Sequence, residues 1–557
     1  MIKGPGIGTW GRRLTAFAGR FARGSRGNVA MIFALSLPPL ILMVLGGVDI
    51  HRASTVRVNL QDALDAATLA AARSQYTTDA EITQVGLRAL RANLKAYPEI
   101  TLREDQTTFD LNDEGVVVAN SKVDVRALVA NIVLPPYGQF MDDQLPVGAH
   151  SEVFRSNKMI EVALVLDNTG SMAGTKLTNT KAAATELITR LESADERSVE
   201  EDAVKIALVP FSMTVRVSSG FGTQNNRSSA SSTGWLSRSI AHTGSTGTTG
   251  LFAVGQDRFA ILDTLQIGWG GCVESRAYPY DVNDTAPSTL NQASMFVPYF
   301  SPDSPDRSDA DDDNTWNNYA YFNDYLNDIE AAKPNNFSFP NSAARVLEWN
   351  TRLRNQTKYV RNRLRSGIGT SLGPNQGCGL EPVVRLTDDF DALRSAVSRM
   401  TATGNTNVPF GLMWGWHALS PNAPFSDGQA YGTDRLQKIV ILMTDGENVN
   451  STANNPDNSA YSGVGLIWQN RLGVGASSSE SQRRTVMDNR LAELCGNLAE
   501  RDIIVYSVGV QVDTRTQQLL RDCASESANY FNVTNASDIG AAFDRIAGAI
   551  ENLRISR

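Results

Sequence analysis

The chain has 557 residues, 42% of them hydrophobic and 20% charged, a globular composition rather than a disordered or collagen-like one. Its net charge of −8 is uneven: residues 1–27 hold six basic residues and no acid, residues 28–48 hold no charge, and −14 remains beyond them. No basic surface of useful size is left outside the first segment, which argues against a nucleic-acid partner.

The basic segment, residues 1–27, carries Lys3, Arg12, Arg13, Arg20, Arg23 and Arg26. Asn28 to Val48 follows as 21 uncharged, mostly apolar residues, about one bilayer crossing for a helix. Pro38 and Pro39 lie inside it, which membrane helices tolerate better than soluble ones. The positive flank predicts a cytoplasmic N-terminus and a C-terminal bulk that is periplasmic or extracellular. No small-residue cleavage pattern follows the apolar run, so the expectation is a retained single-pass anchor. The four cysteines, Cys272, Cys378, Cys495 and Cys523, fall in the exported part without C-x-x-C spacing. Two disulfides are expected; of the three possible pairings, the favoured one is Cys272–Cys378 with Cys495–Cys523.

Residues 49–98 read as a helical stalk, with Val56, Leu60, Leu64, Ala67 and Ala71 at helical spacing and Thr78 with Glu81 as a capping box for a second helix. The small-residue face of the stalk suits packing against another helix or against its own ectodomain. Residues 99–156 read as a small β-rich subdomain, with strands around 107–111, 116–129 and 148–153. The head comprises residues 157–211 and 386–557. Its buried-strand runs alternate with helical segments at 177–191, 390–400, 483–500, 517–523 and 539–553, the pattern of a doubly wound parallel sheet. Residues 212–385 interrupt it as an insertion that opens Ser/Gly/Thr-rich and later carries tryptophans, tyrosines and two cysteines. Within the insertion, Asp309, Asp311 and Asp313 alternate as in calcium loops. The turn glycine and the twelfth-position Glu are missing, so a solvated loop is expected.

The apolar run Ile160–Leu166 is broken only by Glu161 and ends at Asp167, followed by Thr169 and Ser171. A buried strand thus delivers a carboxylate and two hydroxyls to its C-terminal turn, the edge at which open α/β sheets bind ligands. Oxygen-only donors suit a hard cation, Mg²⁺ above all. The same residues also serve as ordinary N-cap chemistry. A P-loop is excluded, because Gly170, Gly174 and Lys176 do not fit its spacing.

The D-x-T-x-S stretch resembles the first motif of the metal-ion-dependent adhesion site of von Willebrand factor A domains. KIVILMTDGEN, ending in Thr444, Asp445 and Gly446, resembles that family's T-D-G strand. TATGNTNVPFGLMWGW resembles its threonine-bearing loop. The resemblance implies a doubly wound α/β head (von Willebrand factor A, Rossmann-like) and a metal held by Asp167, Thr169, Ser171, Thr406 and Asp445. The stretch from Arg26 to Arg73 resembles the N-terminus of TadE/TadG-like proteins of Flp (Tad) pilus assembly. WGGCVESR at 269–276 and the segment from Phe410 resemble the head of TadG proteins. Where the pseudopilins of that system carry a Glu in the apolar run, this chain has Ile32, which favours a permanent anchor over processing after Gly27.

These resemblances imply a metal-dependent, protein-binding component of pilus assembly or anchoring, anchored in the bacterial inner membrane, that contributes to adhesion. An acidic group of the pilus or envelope partner would complete the metal's shell. No catalytic residue is assigned. The competing readings are a metal-dependent hydrolase, for which Glu447 is the obvious base and His417 the nearest histidine, and a structural stalk protein whose metal stiffens loops. Tyr461 and Trp468, in the long loop 450–479, are the candidate rim aromatics for binding.

Overall fold

The long helix α1 (Gly27–Ala72) opens the computed structural model. The structure describes residues 27–555 except 75, 77, 99, 113–114, 127–132, 135–137, 140–143, 155–157, 197, 199–201, 223–225, 238–249, 253–256, 306–322 and 328–341. The basic segment before Gly27, the acidic run Asp309–Asp313 and Trp316 therefore lie outside the described residues. The chain divides into two units, residues 1–156 and 157–557.

In the first unit, the early turns of α1 expose Val29, Ile32, Phe33, Leu35 and Met43. This part is long and apolar enough to cross a membrane, with a mean hydropathy of 2.2. The later turns behave differently. Val56, Leu60, Leu64, Ala67 and Ala71 form one stripe and are buried against α2 (Asp79–Leu94) and an antiparallel sheet. That sheet has the order β1 (Ile100–Leu111), β2 (Val116–Arg126), β3 (Gln144–Phe154). The helical stretch and the β stretch thus share one core, and the stripe packs on the chain's own strands rather than standing free as a stalk. The expected capping box is not formed as such: the Thr78 hydroxyl donates to the Glu81 carboxylate at 2.7 Å instead of accepting from the backbone.

The second unit is built on five parallel strands in the order β5 (Val204–Phe211), β4 (Met159–Asp167), β10 (Leu436–Thr444), β11 (Ile504–Val510), β12 (Tyr530–Val533). Alternation along each strand sends side chains to two separate cores. Ile160, Val162, Leu164 and Leu166 face one core, with α3 (Thr175–Glu196), α5 (Phe390–Arg399) and α9 (Ile539–Ile555). Ala163 and Val165 face the other, with α6 (Val408–Leu419), α7 (Glu480–Ala499) and α8 (Thr514–Cys523). This is the doubly wound α/β class expected from the sequence. Glu161, the break in the first run, is buried beneath the sheet in an ion pair with Lys438, whose ammonium also donates to the Leu419 carbonyl at 2.7 Å.

Residues 212–385 extend this same sheet. The short strands β6 (Val215–Arg216), β7 (Cys272–Glu274) and β8 (Val297–Pro298) add to it antiparallel beyond β5, and β9 (Val384–Thr387) also pairs antiparallel with β5. The apolar residues of the insertion, among them Phe259 of α4 (Arg258–Leu265), Trp269, Phe300, Tyr325 and Trp349, join the core under α6 and α7. Two disulfides close, Cys272–Cys378 and Cys495–Cys523, the favoured pairing. The second ties α7 to α8 around β11.

Candidate metal centre

The carboxyl ends of β4 and β10 lie side by side, because the two strands pair in parallel from Leu436–Met159 to Met443–Leu166. This register places Asp167 beside Thr444, and the Thr444 hydroxyl donates to Asp167 Oδ2 at 2.6 Å. The Thr169 amide donates to Asp167 Oδ1 at 2.8 Å. The turn continues with Thr169 and Ser171, whose hydroxyls lie 2.9 Å apart, and Ser171 Oγ donates to Asp445 Oδ1 at 2.6 Å.

Thr406 reaches the same place by a different route. The amide of Gly170 donates to the Gly404 carbonyl at 2.9 Å, that of Thr403 to Asn168 at 2.7 Å, and that of Val449 to Thr406 at 2.9 Å. A methyl group built on Gly446 would stand 3.4 Å from Thr406 Oγ1 and 3.8 Å from Ser171 Oγ. The loop is held from behind by α6, which lies close on the sheet through Gly411 and Gly415. A Cβ at Gly415 would come within 2.4 Å of Val165, and one at Gly411 within 2.4 Å of Phe211. Asn407 caps that helix, and the Asn448 side chain accepts from the Val408 amide at 2.9 Å.

All five residues named from the sequence are therefore brought together, from three separate parts of the chain. Asp167, Thr169, Thr406 and Asp445 are buried, while Ser171 is open to solvent. Burial pushes the Asp167 carboxyl up to about 6, against the opposing hydrogen bonds from Thr169 and Thr444. Two enclosed carboxylates with three hydroxyls form an oxygen-only donor set, which fits a hard divalent cation. Among the described residues, no cluster of three or more His, Cys, Asp or Glu side chains offers an alternative centre.

One participant escaped the sequence reading. Lys176, in the first turn of α3, donates from Nζ to Asp445 Oδ2 at 2.7 Å. The signal for it in the sequence is slight, a lone cation five residues after Ser171 that does not complete a P-loop.

The residues proposed for hydrolytic chemistry lie in other surroundings. Glu447 is ion-paired with Arg484, which also binds Asp513 at 3.0 Å. His417 is fully buried between Trp414 and Phe296 with Nε2 3.4 Å from Arg276, and burial holds it well below the usual imidazole range. The rim aromatics turn inward: the Tyr461 hydroxyl donates to Glu274, and the Trp468 indole donates to Asp457 at 2.9 Å. A cleft of about 420 Å³ remains beside the centre, lined by Gly404, Asn405, Ser451, Tyr299, Trp349 and Asp457.

Asp457 gives the rim a pH dependence. Burial is the main cause that pushes its carboxyl up to about 7, with the Trp468 hydrogen bond opposing. A folded-state value above the unfolded one, near 3.9, means that the fold binds this proton more tightly. The stabilisation is complete below about pH 4 and is lost as pH rises through about 7. Relative to Asp457→Asn, the native protein should therefore lose thermal stability between pH 5 and pH 7. A stability difference that stays constant across that window would contradict the assignment.

Residues 27–74 match the family described as "Putative Flp pilus-assembly TadE/G-like". No curated protein matches the chain. Among solved structures, the chain is similar to the vWF domain of the type V pili tip protein Mfa5 from Porphyromonas gingivalis, at 10% identity and TM-score 0.31, over 72% of this chain and 97% of that one. It is also similar to the pilus adhesin SpaC from Lactobacillus rhamnosus GG, at 11% identity and TM-score 0.30, over 82% of this chain and 34% of that one. A third similarity is to the pilus adhesin RrgA from Streptococcus pneumoniae, at 11% identity and TM-score 0.30, over 80% of this chain and 48% of that one. The chain thus spans about a third of the SpaC chain and about half of the RrgA chain. Scores this low carry no argument about this molecule, whose architecture stands on its own strand order.

Proposed function

From the premise that this chain carries a Flp pilus-assembly TadE/G-like segment at residues 27–74, we propose that it is a membrane-anchored component of pilus assembly or anchoring that binds a protein partner through a divalent cation, Mg²⁺ foremost. The apolar turns of α1 are the anchor. The segment before Gly27 stays in the cytoplasm, and the head stands on the other side of the inner membrane, where its disulfides are stable. Asp167, Thr169, Ser171, Thr406 and Asp445 would hold the ion. Bound there, the ion supplies a Lewis-acidic coordination position that an acidic group of the partner can enter.

The observation that carries this reading is the convergence of those five oxygen-bearing side chains, from the ends of two neighbouring strands and a third loop, at a point where Ser171 is exposed. The chain's own residues supply the rest. Thr169 and Thr444 orient the Asp167 carboxylate, and Asn407 with Asn448 fixes the start of α6 and hence Thr406. The hydrolase reading has less support, because Glu447 is occupied as the counter-ion of Arg484 and His417 is enclosed with Arg276.

The test is thermal unfolding of the full-length chain in detergent, with Mg²⁺ and with chelator. Mg²⁺ should raise the melting temperature of the native protein and leave Asp167→Ala unmoved. Thr406→Ala should keep part of the Mg²⁺ response, because water can replace a neutral ligand. A native protein indifferent to Mg²⁺ would refute the metal.

A further inference from the structure

We propose that Lys176 is the centre's own competing cation: its ammonium holds Asp445 while no metal is bound, must leave when a divalent ion enters, and so sets the metal affinity. The inference deepens the proposed function and rests on the metal reading.

The geometry is specific. The Asp445 side chain is fully enclosed, and its two oxygens are divided between the Ser171 hydroxyl at 2.6 Å and Lys176 Nζ at 2.7 Å. Lys176 itself is 22% exposed, so its flexible stem has a way out to solvent, where an ammonium is strongly hydrated. The lysine also comes from α3, on the chain that continues directly from the Asp167–Ser171 turn. The first turn of α3 is therefore held beside the centre, and the ammonium's effective concentration at Asp445 is high. A unit charge bonded to one of two proposed ligand carboxylates must weaken a divalent ion that needs the same carboxylate. In return it neutralises part of the charge that the metal-free fold encloses.

The experiment is calorimetric titration of Mg²⁺ into the full-length chain in detergent, for the native protein, Lys176→Met and Lys176→Arg. Lys176→Met keeps the stem and removes the charge, and should bind Mg²⁺ about tenfold or more tighter than the native protein. Lys176→Arg keeps the charge and should stay near the native affinity. In chelator, Lys176→Met should melt below the native protein, and saturating Mg²⁺ should close that gap. A measurement on the unmutated chain guards against misfolding of the variant. Acetylation of Lys176, read by peptide mapping, should be slow in chelator and faster in Mg²⁺. Equal Mg²⁺ affinity for native and Lys176→Met proteins, or acetylation indifferent to Mg²⁺, would overturn the role of Lys176 and leave the metal site standing. Absence of Mg²⁺ binding in all three proteins would overturn the metal reading, and the inference with it.

Discussion

Glu274→Ala should cost the head about 3–5 kcal/mol, because removing one member of a buried ionic group strands the others. Glu274 lies on β7 with its side chain wholly enclosed. Arg258 donates to it at 2.5 Å, and Arg471 and Tyr461 donate to its remaining lone pairs. The three partners come from a helix of the insertion and from the loop 450–479 that follows β10, so one carboxylate joins the insertion to the rim. Without it, two guanidinium groups stay buried without the carboxylate they share. Glu274→Gln retains the shape and an acceptor, and should cost clearly less. Urea unfolding followed by tryptophan fluorescence reads both, since Trp269 and Trp349 lie in the adjoining core. A loss below about 1 kcal/mol for the alanine variant would show that the group is not held as described.

Replacing both Cys272 and Cys378 with Ala should have an effect of similar size. The bond closes a loop of 106 residues, for which chain entropy in the unfolded state gives about 4–5 kcal/mol. Both sulfurs are buried against Tyr299, so the gap left behind adds to the loss. The consequence reaches the candidate metal centre by a traceable path. The Gly377 carbonyl accepts from Thr214 at 2.9 Å, and the Ser212 carbonyl accepts from the Asn407 amide at 3.2 Å. Loosening the insertion at Cys378 should therefore loosen the loop that carries Thr406. The double variant is expected to show a lower urea midpoint together with weaker Mg²⁺ stabilisation. A midpoint unchanged from the native protein would contradict the loop-closure account.

The parts of this fold that were legible in the sequence are those whose signal is local. The strand at Ile160–Leu166 shows itself as an apolar run broken only by Glu161 because it is buried on both faces, and the helices at 390–399 and 514–523 show a clear amphipathic period. The candidate ligands Asp167 and Asp445 are readable because each ends such a run abruptly. The strands of the insertion were not legible. Val215–Arg216 and Val297–Pro298 are two residues each, too short for alternation, and exist because an already formed sheet edge accepts them. Tyr461 and Trp468 look like exposed rim aromatics in a polar loop. Their inward turn depends on Glu274 and Asp457, 187 and 11 residues away in the chain. The part of Lys176 was hidden for the same reason. Its partner Asp445 is 269 residues distant, and only the parallel pairing of two strands brings them together.

The central claim, binding of an envelope partner through the metal, is tested most directly by crosslinking in piliated cells. The full-length native chain and Asp167→Ala would each be captured after crosslinking, once with Mg²⁺ present and once with chelator. The account predicts a pilus or envelope protein crosslinked to the native chain in Mg²⁺, and lost both in chelator and in the variant. The same crosslinked protein in all four samples would contradict it, and would leave the cluster around Asp167 and Asp445 a structural role.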